Sequence, residues 1–198
     1  MLLVILLVPQ RHDLASNMYK PNQRTVRVDL LAIAGWVTGT LHVPLKSSLA
    51  AYLNKNAEFM PLTQVPLDEN APPLEFLALR RQAILLVLPD ADDVDQHLGG
   101  QTGSFDRSRV RCIFPDASVE GTIQLLAGLR VSDFLETSPG FIVLSDCSLT
   151  SEQGRCETGI RHLIVNTTHL LAVAELTKTG SPSRPGLEPV GAAGPSRR

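Results

Sequence analysis

The sequence predicts an α+β protein that is mostly β, a tandem duplication of a small SH3-like or Sm-like β-barrel or β-sheet unit. Three observations lead to this fold class. The stretch from Arg27 to Leu67 aligns without a gap onto Arg109 to Leu149, at an offset of 82 residues. Valine, leucine, isoleucine and threonine are frequent in both stretches, which is typical of strands. Each stretch also contains one short segment with helical periodicity.

The repeat is carried by residues that pack. Nine positions are identical across the offset, and almost no reactive side chain is shared. An internal repeat constrains the architecture of the whole chain, so local patterns are interpreted within it. We therefore expect matched apolar residues, such as Phe59 and Phe141, to build equivalent cores in the two units. The identical pairs are Arg27/Arg109, Val28/Val110, Val37/Val119, Gly39/Gly121, Thr40/Thr122, Leu53/Leu135, Phe59/Phe141, Leu62/Leu144 and Leu67/Leu149.

Each unit opens with two predicted strands. In the first unit they lie within residues 25–44, where Gly35 falls between two apolar runs and marks the turn. In the second unit they cover residues 110–113 and 119–126. The intervening Pro115-Asp116-Ala117 favours a chain reversal, because proline and aspartate suit tight turns.

A short helix is expected after each hairpin. Ser47 or Ser48 can cap the first helix, and Ser132 or a residue just before it opens the second. Asp133 suits the positive end of the second helix. Helices this short are unstable alone, so docking onto the strands must hold them. The apolar residues with helical spacing are Leu49, Tyr52 and Leu53 in the first helix, and Val131, Phe134 and Leu135 in the second.

Three further strands complete each unit, which therefore reads β-β-α-β-β-β. The third strand starts at Phe59 in the first unit and at Phe141 in the second. The last two strands lie within residues 77–88 and 163–173, which align once four extra residues enter the second loop. One short helix per unit follows from the same pattern.

Changes in composition predict the domain boundaries. Residues 1–23 form an N-terminal extension, which is either an extra strand or the product of a start codon assigned too early, with Met18 as the true start. The aspartate-rich segment predicts a flexible linker, and the proline- and glycine-rich end predicts a disordered tail. The predicted regions are extension 1–23, first unit 24–89, linker 90–104, second unit 105–176 and tail 177–198.

Composition argues against several functional classes. The net charge is −2 and aromatic residues make up 5% of the chain, which disfavours nucleic-acid binding. Three cysteines are too few for a disulfide framework, although Cys147 and Cys156 could pair in an oxidising compartment. The apolar run at residues 1–8 is too short to cross a bilayer, so we expect a soluble, cytoplasmic protein without a transmembrane segment.

No catalytic, cofactor or metal site is expected. Asp90, Asp92, Asp93 and Asp95 could hold a hard cation, but they lack the EF-hand pattern and a solvated linker is the better interpretation. The histidines are scattered, and no phosphate-binding or nucleophile-elbow motif occurs. Two basic groups, Arg80-Arg81 and Arg107/Arg109/Arg111, are interpreted as solvated faces rather than anion sites.

One segment suggests a family. Residues 129–135, with the pattern Arg-hydrophobe-Ser-Asp-Phe-Leu, are followed by a short strand over residues 141–146. This stretch resembles an uncharacterised bacterial domain family, with a clear copy in the second unit and a degenerate one in the first. The resemblance implies a domain, without an activity or ligand. The repeat signature comprises Gly39, Leu53, Phe59, Leu62, Gly121, Ser132, Asp133, Phe134, Leu135, Phe141 and Leu144.

The preferred functional hypothesis is a non-catalytic protein-interaction or adaptor module with an unknown protein partner. It follows from a duplication that kept packing residues and no reactive group. One alternative is an Sm-like nucleic-acid binder. The other is a small-ligand binder or enzyme with a site between the two units.

Overall fold

The computed structural model describes residues 22–55, 57–67, 71–90, 104–138 and 140–176. Within these ranges the chain is mostly β with two short helices, which confirms the predicted class and the order β-β-α-β-β-β in each unit. The elements are β1 Gln23–Ala32, β2 Gly35–Pro44, α1 Leu49–Leu53, β3 Phe59–Leu62, β4 Leu77–Arg80, β5 Ile84–Pro89, β6 Phe105–Ile113, β7 Ala117–Leu126, α2 Val131–Thr137, β8 Phe141–Ser151, β9 Cys156–Asn166 and β10 Ala172–Glu175.

Some predicted segments cannot be compared with the structure. Nearly all of the extension 1–23 and of the linker 90–104, and all of the tail 177–198, lie outside the described residues. Their predicted roles, including the alternative start at Met18, stay predictions.

Local chemistry explains the hairpin turn and the helix starts. Gly35, which is predicted to mark the turn, has a φ of 127°, a conformation that residues with a Cβ rarely adopt, and it is the first residue of β2 directly after the turn. Ser48 caps α1 by accepting a hydrogen bond from the Ala51 amide at 3.1 Å. Ser132 is not a cap, because α2 already begins at Val131. Arg130 holds the cap position there without a side-chain bond.

One antiparallel sheet runs through both units. Its strand order is β10-β6-β7-β8-β9-β5-β1-β2, so the units meet where β9 pairs with β5. The remaining strands, β3 and β4, form a two-stranded sheet that joins β2 through an isolated bridge between Thr40 and Thr63. Within the described ranges, β10 and β4 are thus the outermost strands of the whole arrangement.

The predicted SH3-like or Sm-like barrel is wrong, because the sheet is open. Closing either unit into a barrel would require its two outer strands to pair with each other. The outer strand β9 instead hydrogen-bonds to β5 of the other unit. That junction satisfies one free edge of each unit, so neither unit closes on itself.

The strand registers of the two units correspond at constant offsets. Residues up to Leu67 match the second unit at an offset of 82. Residues from Leu77 onward match at an offset of 86, as for Leu79 and Val165. Each unit consequently has the same strand order, β5-β1-β2-β3-β4 in the first and β10-β6-β7-β8-β9 in the second. Matched cross-strand pairs are Val28–Gly39 and Val110–Gly121, Met60–Leu79 and Ile142–Val165, and Leu30–Val87 and Cys112–Val173.

Unusual backbone also recurs at matched positions. Gln64 and Asp146, which are 82 residues apart, have φ values of 54° and 53°. A positive φ is uncommon outside glycine, so its recurrence at both places is a specific correspondence. These observations support a duplication, which stays a hypothesis about the origin of the chain.

Two apolar clusters hold the sheet, one centred on each unit. The first-unit cluster also contains Phe141 and Ile164 from the second unit, and the second-unit cluster also contains Leu31, Leu85 and Leu86 from the first. Strand β5 contributes to both clusters. Its residues 84–88 are all buried, as expected for a strand covered on both faces. The units therefore share their cores.

The expectation of equivalent surroundings is wrong for Phe59 and Phe141. Phe141 is 2% exposed, whereas Phe59 is 51% exposed. Leu53 is likewise fully buried, while its match Leu135 is only half-buried. The reason is the junction, because β8 and β9 pack against the first unit and no described strand packs against β3 and β4 in the same way.

Candidate interaction surface

The junction between the units shows how this fold accepts an added strand. Strands β5 and β9 pair through Leu86 opposite Val165 and Val87 opposite Ile164. Only these two residue pairs form the ladder, so side-chain contacts must extend it. Asn166, which is buried, donates from Nδ2 to the Ile84 carbonyl oxygen at 2.8 Å.

Asn54 connects the end of α1 to β8. Its Nδ2 donates to the Phe141 carbonyl oxygen at 2.8 Å, and its Oδ1 accepts from the Phe141 amide at 2.9 Å. One amide side chain thereby satisfies both backbone groups of a residue that carries a buried ring. The ring of Phe141 packs in the same apolar cluster as Leu49, Leu53 and Val87.

We expect Asn54→Ala to lower the free energy of unfolding by about 1–2 kcal/mol, since it leaves the Phe141 amide and carbonyl without partners. Chemical denaturation of the wild-type and variant chains measures the loss. Glu136→Ala changes the matched position on α2, which makes no such bond within the described residues, and serves as the control. Equal losses in the two variants would contradict the role of Asn54.

The second unit has a concave surface beside its helix. A cavity of about 730 Å³ lies between α2 and β10, and we call it the α2–β10 groove. Its wall is mixed, with apolar side chains together with the charged Arg130 and Glu175. The lining residues are Arg130, Val131, Ser132, Leu135, Thr167, Leu170, Ala172, Val173 and Glu175.

Part of the groove wall corresponds to residues that pack with Phe141 in the first-unit cluster. Val131 and Leu135 match Leu49 and Leu53 at the offset of 82, and Val173 matches Val87 at the offset of 86. Those three first-unit residues contact the cluster that contains Phe141. The α2–β10 groove therefore shares these wall positions with the first-unit cluster that contains Phe141.

The repeat signature divides into structural and surface residues. Leu62 and Leu144 are completely buried, and Gly39 and Gly121 lie against them. Phe134 is half-buried against the second-unit cluster. Ser132 and Asp133 are exposed on α2, where the Ser132 hydroxyl donates to Asp133 at 3.1 Å. Only Ser132 and Leu135 of the signature line the groove.

A second, polar cavity of about 700 Å³ lies between the units and contains His162. Its charged groups largely neutralise each other. Arg155 contacts Asp29 at 3.0 Å and Glu157 at 2.9 Å, and its guanidinium carbon lies 4.4 Å from the Trp36 ring centre. This arrangement holds the two units together.

The other residues considered for catalysis do not converge on that cavity. His42 contacts Thr63 at 2.9 Å, and Asp133 lies on α2. His169 hydrogen-bonds the Gln82 carbonyl oxygen. Within the described part of the chain, no group of three or more histidine, cysteine, aspartate or glutamate residues could hold a metal ion. Asp92, Asp93, Asp95, His12 and His97 lie outside the described residues.

Three of the five arginines in the two basic groups lie near carboxylates. Arg111 forms an ion pair with Glu120, and Arg109 lies 3.9 Å from the same side chain. Arg80 contacts Glu58 at 2.8 Å, in an exposed pair. Arg81 lies over the Phe141 ring, with its guanidinium carbon 5.4 Å from the ring centre. Internal pairing of this kind leaves little positive potential for a phosphate backbone.

Two of the three thiols are protected. Burial raises the pKa of Cys112 to about 11 and, as the main cause, that of Cys147 to about 12, while Cys156 is exposed. Since the folded state holds these thiol protons more tightly, their contribution to stability is complete below about pH 9 and is lost as the pH rises above it.

At neutral pH we expect a thiol reagent such as Ellman's reagent to modify Cys156 rapidly, and Cys112 and Cys147 only after unfolding. A mass spectrum of the labelled protein identifies the modified residues. Rapid labelling of Cys147 in the folded chain would contradict its burial, and Cys156→Ser supplies the matched control without the reactive thiol.

The most informative residues of this surface carried no recognisable sequence signal. Asn54 is matched by Glu136 and Asn166 by Arg80, so the two polar contacts at the junction are not repeated in the sequence. Ala172 and Leu170 fall in a segment predicted only as a strand. The exposure of the Phe59 side chain could not be inferred either, because the identical residue at the matched position, Phe141, is buried.

Neither described helix has the length and apolar character needed to cross a membrane. No family model matches the chain, and no curated protein or solved structure is detectably similar to it. The resemblance to an uncharacterised bacterial domain family therefore stays a prediction.

Proposed function

We propose that the protein is a non-catalytic interaction module that binds an extended protein segment in the α2–β10 groove. The observation that carries this proposal is the matched pocket in the first unit, which holds β8 and β9 with Phe141 inserted beside α1. The partner segment adds a strand to β10 through backbone hydrogen bonds, and an aromatic side chain enters the groove. Strand addition of this kind is a common mode of peptide recognition.

The proposal includes an origin by tandem duplication. It is supported by the nine identical positions and by strand registers that correspond throughout both units. Duplication explains why a pocket filled within the chain has an open counterpart, because two copies have two pockets and the chain supplies one internal occupant.

The alternatives are less well supported. The nucleic-acid hypothesis relied on an Sm-like barrel, and the sheet is open with Arg109 and Arg111 close to Glu120. A small-ligand site between the units has a cavity, but Arg155, Asp29 and Glu157 already satisfy one another there. The nucleic-acid hypothesis has no specific observation in its favour, and the small-ligand hypothesis has only this cavity, with His162 in its lining.

Selection from a displayed library of random peptides tests the groove directly. We expect the selected sequences to be enriched in an aromatic residue flanked by β-branched residues, as in a strand with one anchoring ring. Ala172→Arg fills the groove from the exposed β10, and we expect it to reduce peptide binding by about tenfold or more.

Leu45→Arg is the matched control, since Leu45 is an exposed apolar residue that does not line the groove. Peptides that bind the wild-type chain and the Ala172→Arg chain equally would contradict the groove as the binding site. A library without any enriched sequence would contradict the function itself.

A further inference from the structure

Two exposed apolar side chains near the ends of the sheet, on β3 and just before β10, have matched residues that are buried. Phe59 and Leu171 are 51% and 68% exposed, whereas their matches Phe141 and Leu85 are 2% and 3% exposed. Exposed aromatic and leucine side chains on unpaired edge strands are usually covered by another chain. Phe59 lies on β3, and Leu171 lies between the groove residues Leu170 and Ala172.

We propose that copies of this protein assemble head to tail, with β3 and β4 of one copy docked on the α2–β10 groove of the next. In this contact, β3 and β4 of one copy pack against α2 and β10 of the next, in the same way that β8 and β9 pack against α1 and β5 within one chain. This inference rests on the proposed function, because it names the partner of the same groove.

The repeat specifies the register of the contact between copies. Within the chain, Leu86 lies opposite Val165 and Val87 lies opposite Ile164. At the offset of 86, these pairs become Ala172 opposite Leu79 and Val173 opposite Ala78. Phe59 then enters the groove beside Leu135, as Phe141 packs in the cluster with Leu53.

Charge supports a second copy as the occupant. Asn54 and Asn166 approach Gly140 from two elements, and a Cβ atom added there would lie 4.0 Å and 3.9 Å from their Oδ1 atoms. Their matched residues are Glu136 and Arg80. Two neutral neighbours inside the chain are thus replaced by exposed charges between copies. Gly140 matches Glu58, which contacts Arg80 at 2.8 Å, so Arg80 meets two carboxylates there. Such an arrangement favours this partner and this orientation.

The contact is heterologous, since it joins two different surfaces of the chain. In the described structure β4 and β10 of one chain do not pair with each other, so the contact is left for a second copy. Heterologous contacts continue from copy to copy and produce either a closed ring or an open chain.

Sedimentation velocity of the full-length protein from micromolar to millimolar concentration tests the proposal. We expect the wild-type mass to rise with concentration. Phe59→Asp on one surface and Leu135→Arg on the other should each weaken the association by about tenfold or more. Leu45→Asp, in the same unit as Phe59, lies outside both surfaces and should associate as the wild type does.

Charge reversal tests the register. Glu136→Arg and Arg80→Glu should each weaken association, and the chain that carries both changes should recover it, because the opposite charges meet again between copies. Arg80 also contacts Glu58, so Glu58→Gln is made in parallel to show that this exposed pair is not responsible. Failure of the double variant to recover would overturn the proposed register.

The outcome separates this inference from the proposed function. A wild-type chain that stays monomeric at every concentration overturns the head-to-tail assembly. If that monomer still binds displayed peptides in a manner sensitive to Ala172→Arg, the groove is an interaction site for another protein and the proposed function stands. Association that is insensitive to Phe59→Asp, Leu135→Arg and charge reversal also overturns the assembly.

Discussion

We expect Phe141→Ala to lower the free energy of unfolding by about 3–5 kcal/mol, the usual range for removing a buried phenylalanine ring. The ring is 2% exposed, belongs to the first-unit cluster and lies under the guanidinium of Arg81. Its loss leaves a cavity at the place where the first unit packs against the second, so both the local contacts and the junction weaken. Equilibrium urea denaturation followed by circular dichroism measures the change.

The chain supplies its own control for this prediction. Phe59→Ala removes the same side chain at the matched position, where the ring is 51% exposed. Exposed substitutions usually change stability by less than about 0.5 kcal/mol, so at concentrations where the chain is monomeric Phe59→Ala should be nearly silent. Similar losses for the two variants would show that the repeat places both rings in equivalent cores, contrary to the structure.

The contrast between these two phenylalanines shows which features of the fold could be predicted from the sequence. Strands, helices and turns follow from local composition and periodicity, and these predictions agree with the structure at Gly35, Ser48 and the two hairpins. Local residues also determine the register inside each unit, because side chains alternate and a slip of one residue would expose a core face. Phe59 and Phe141 therefore have the same position in the local register of their units.

The arrangement of the two units could not be inferred in this way. It depends on which strand edges pair, and the backbone groups of an edge are the same for every sequence. The side chains that distinguish the β9–β5 junction are Asn54 and Asn166, which the repeat does not share. A barrel and an open two-unit sheet therefore have the same local pattern, and the barrel prediction failed at this step. The groove followed from that arrangement and could not be predicted either.

Gly121→Ala should lower the free energy of unfolding by about 2–3 kcal/mol, through overpacking. A Cβ atom at this position would lie 2.8 Å from the Cys147 Sγ atom, 3.1 Å from the Leu144 Cβ atom and 3.3 Å from the Ser145 carbonyl oxygen. Two of these contacts are rigid, since one is backbone and one is a Cβ atom next to it. Thermal and urea denaturation of the variant measure the loss.

Gly39→Ala is the matched variant, and its expected loss is smaller. There the added atom meets the Val65 Cγ2 atom at 3.1 Å and the Leu62 Cδ2 atom at 3.3 Å, which are side-chain atoms that can shift. Because Cys147 makes the shortest contact with the added methyl group, Cys147→Ala should partly rescue Gly121→Ala, with a coupling of about 1 kcal/mol. Strict additivity of the two changes would mean that the sulfur atom is not the obstacle, and that β7 and β8 separate at the backbone instead.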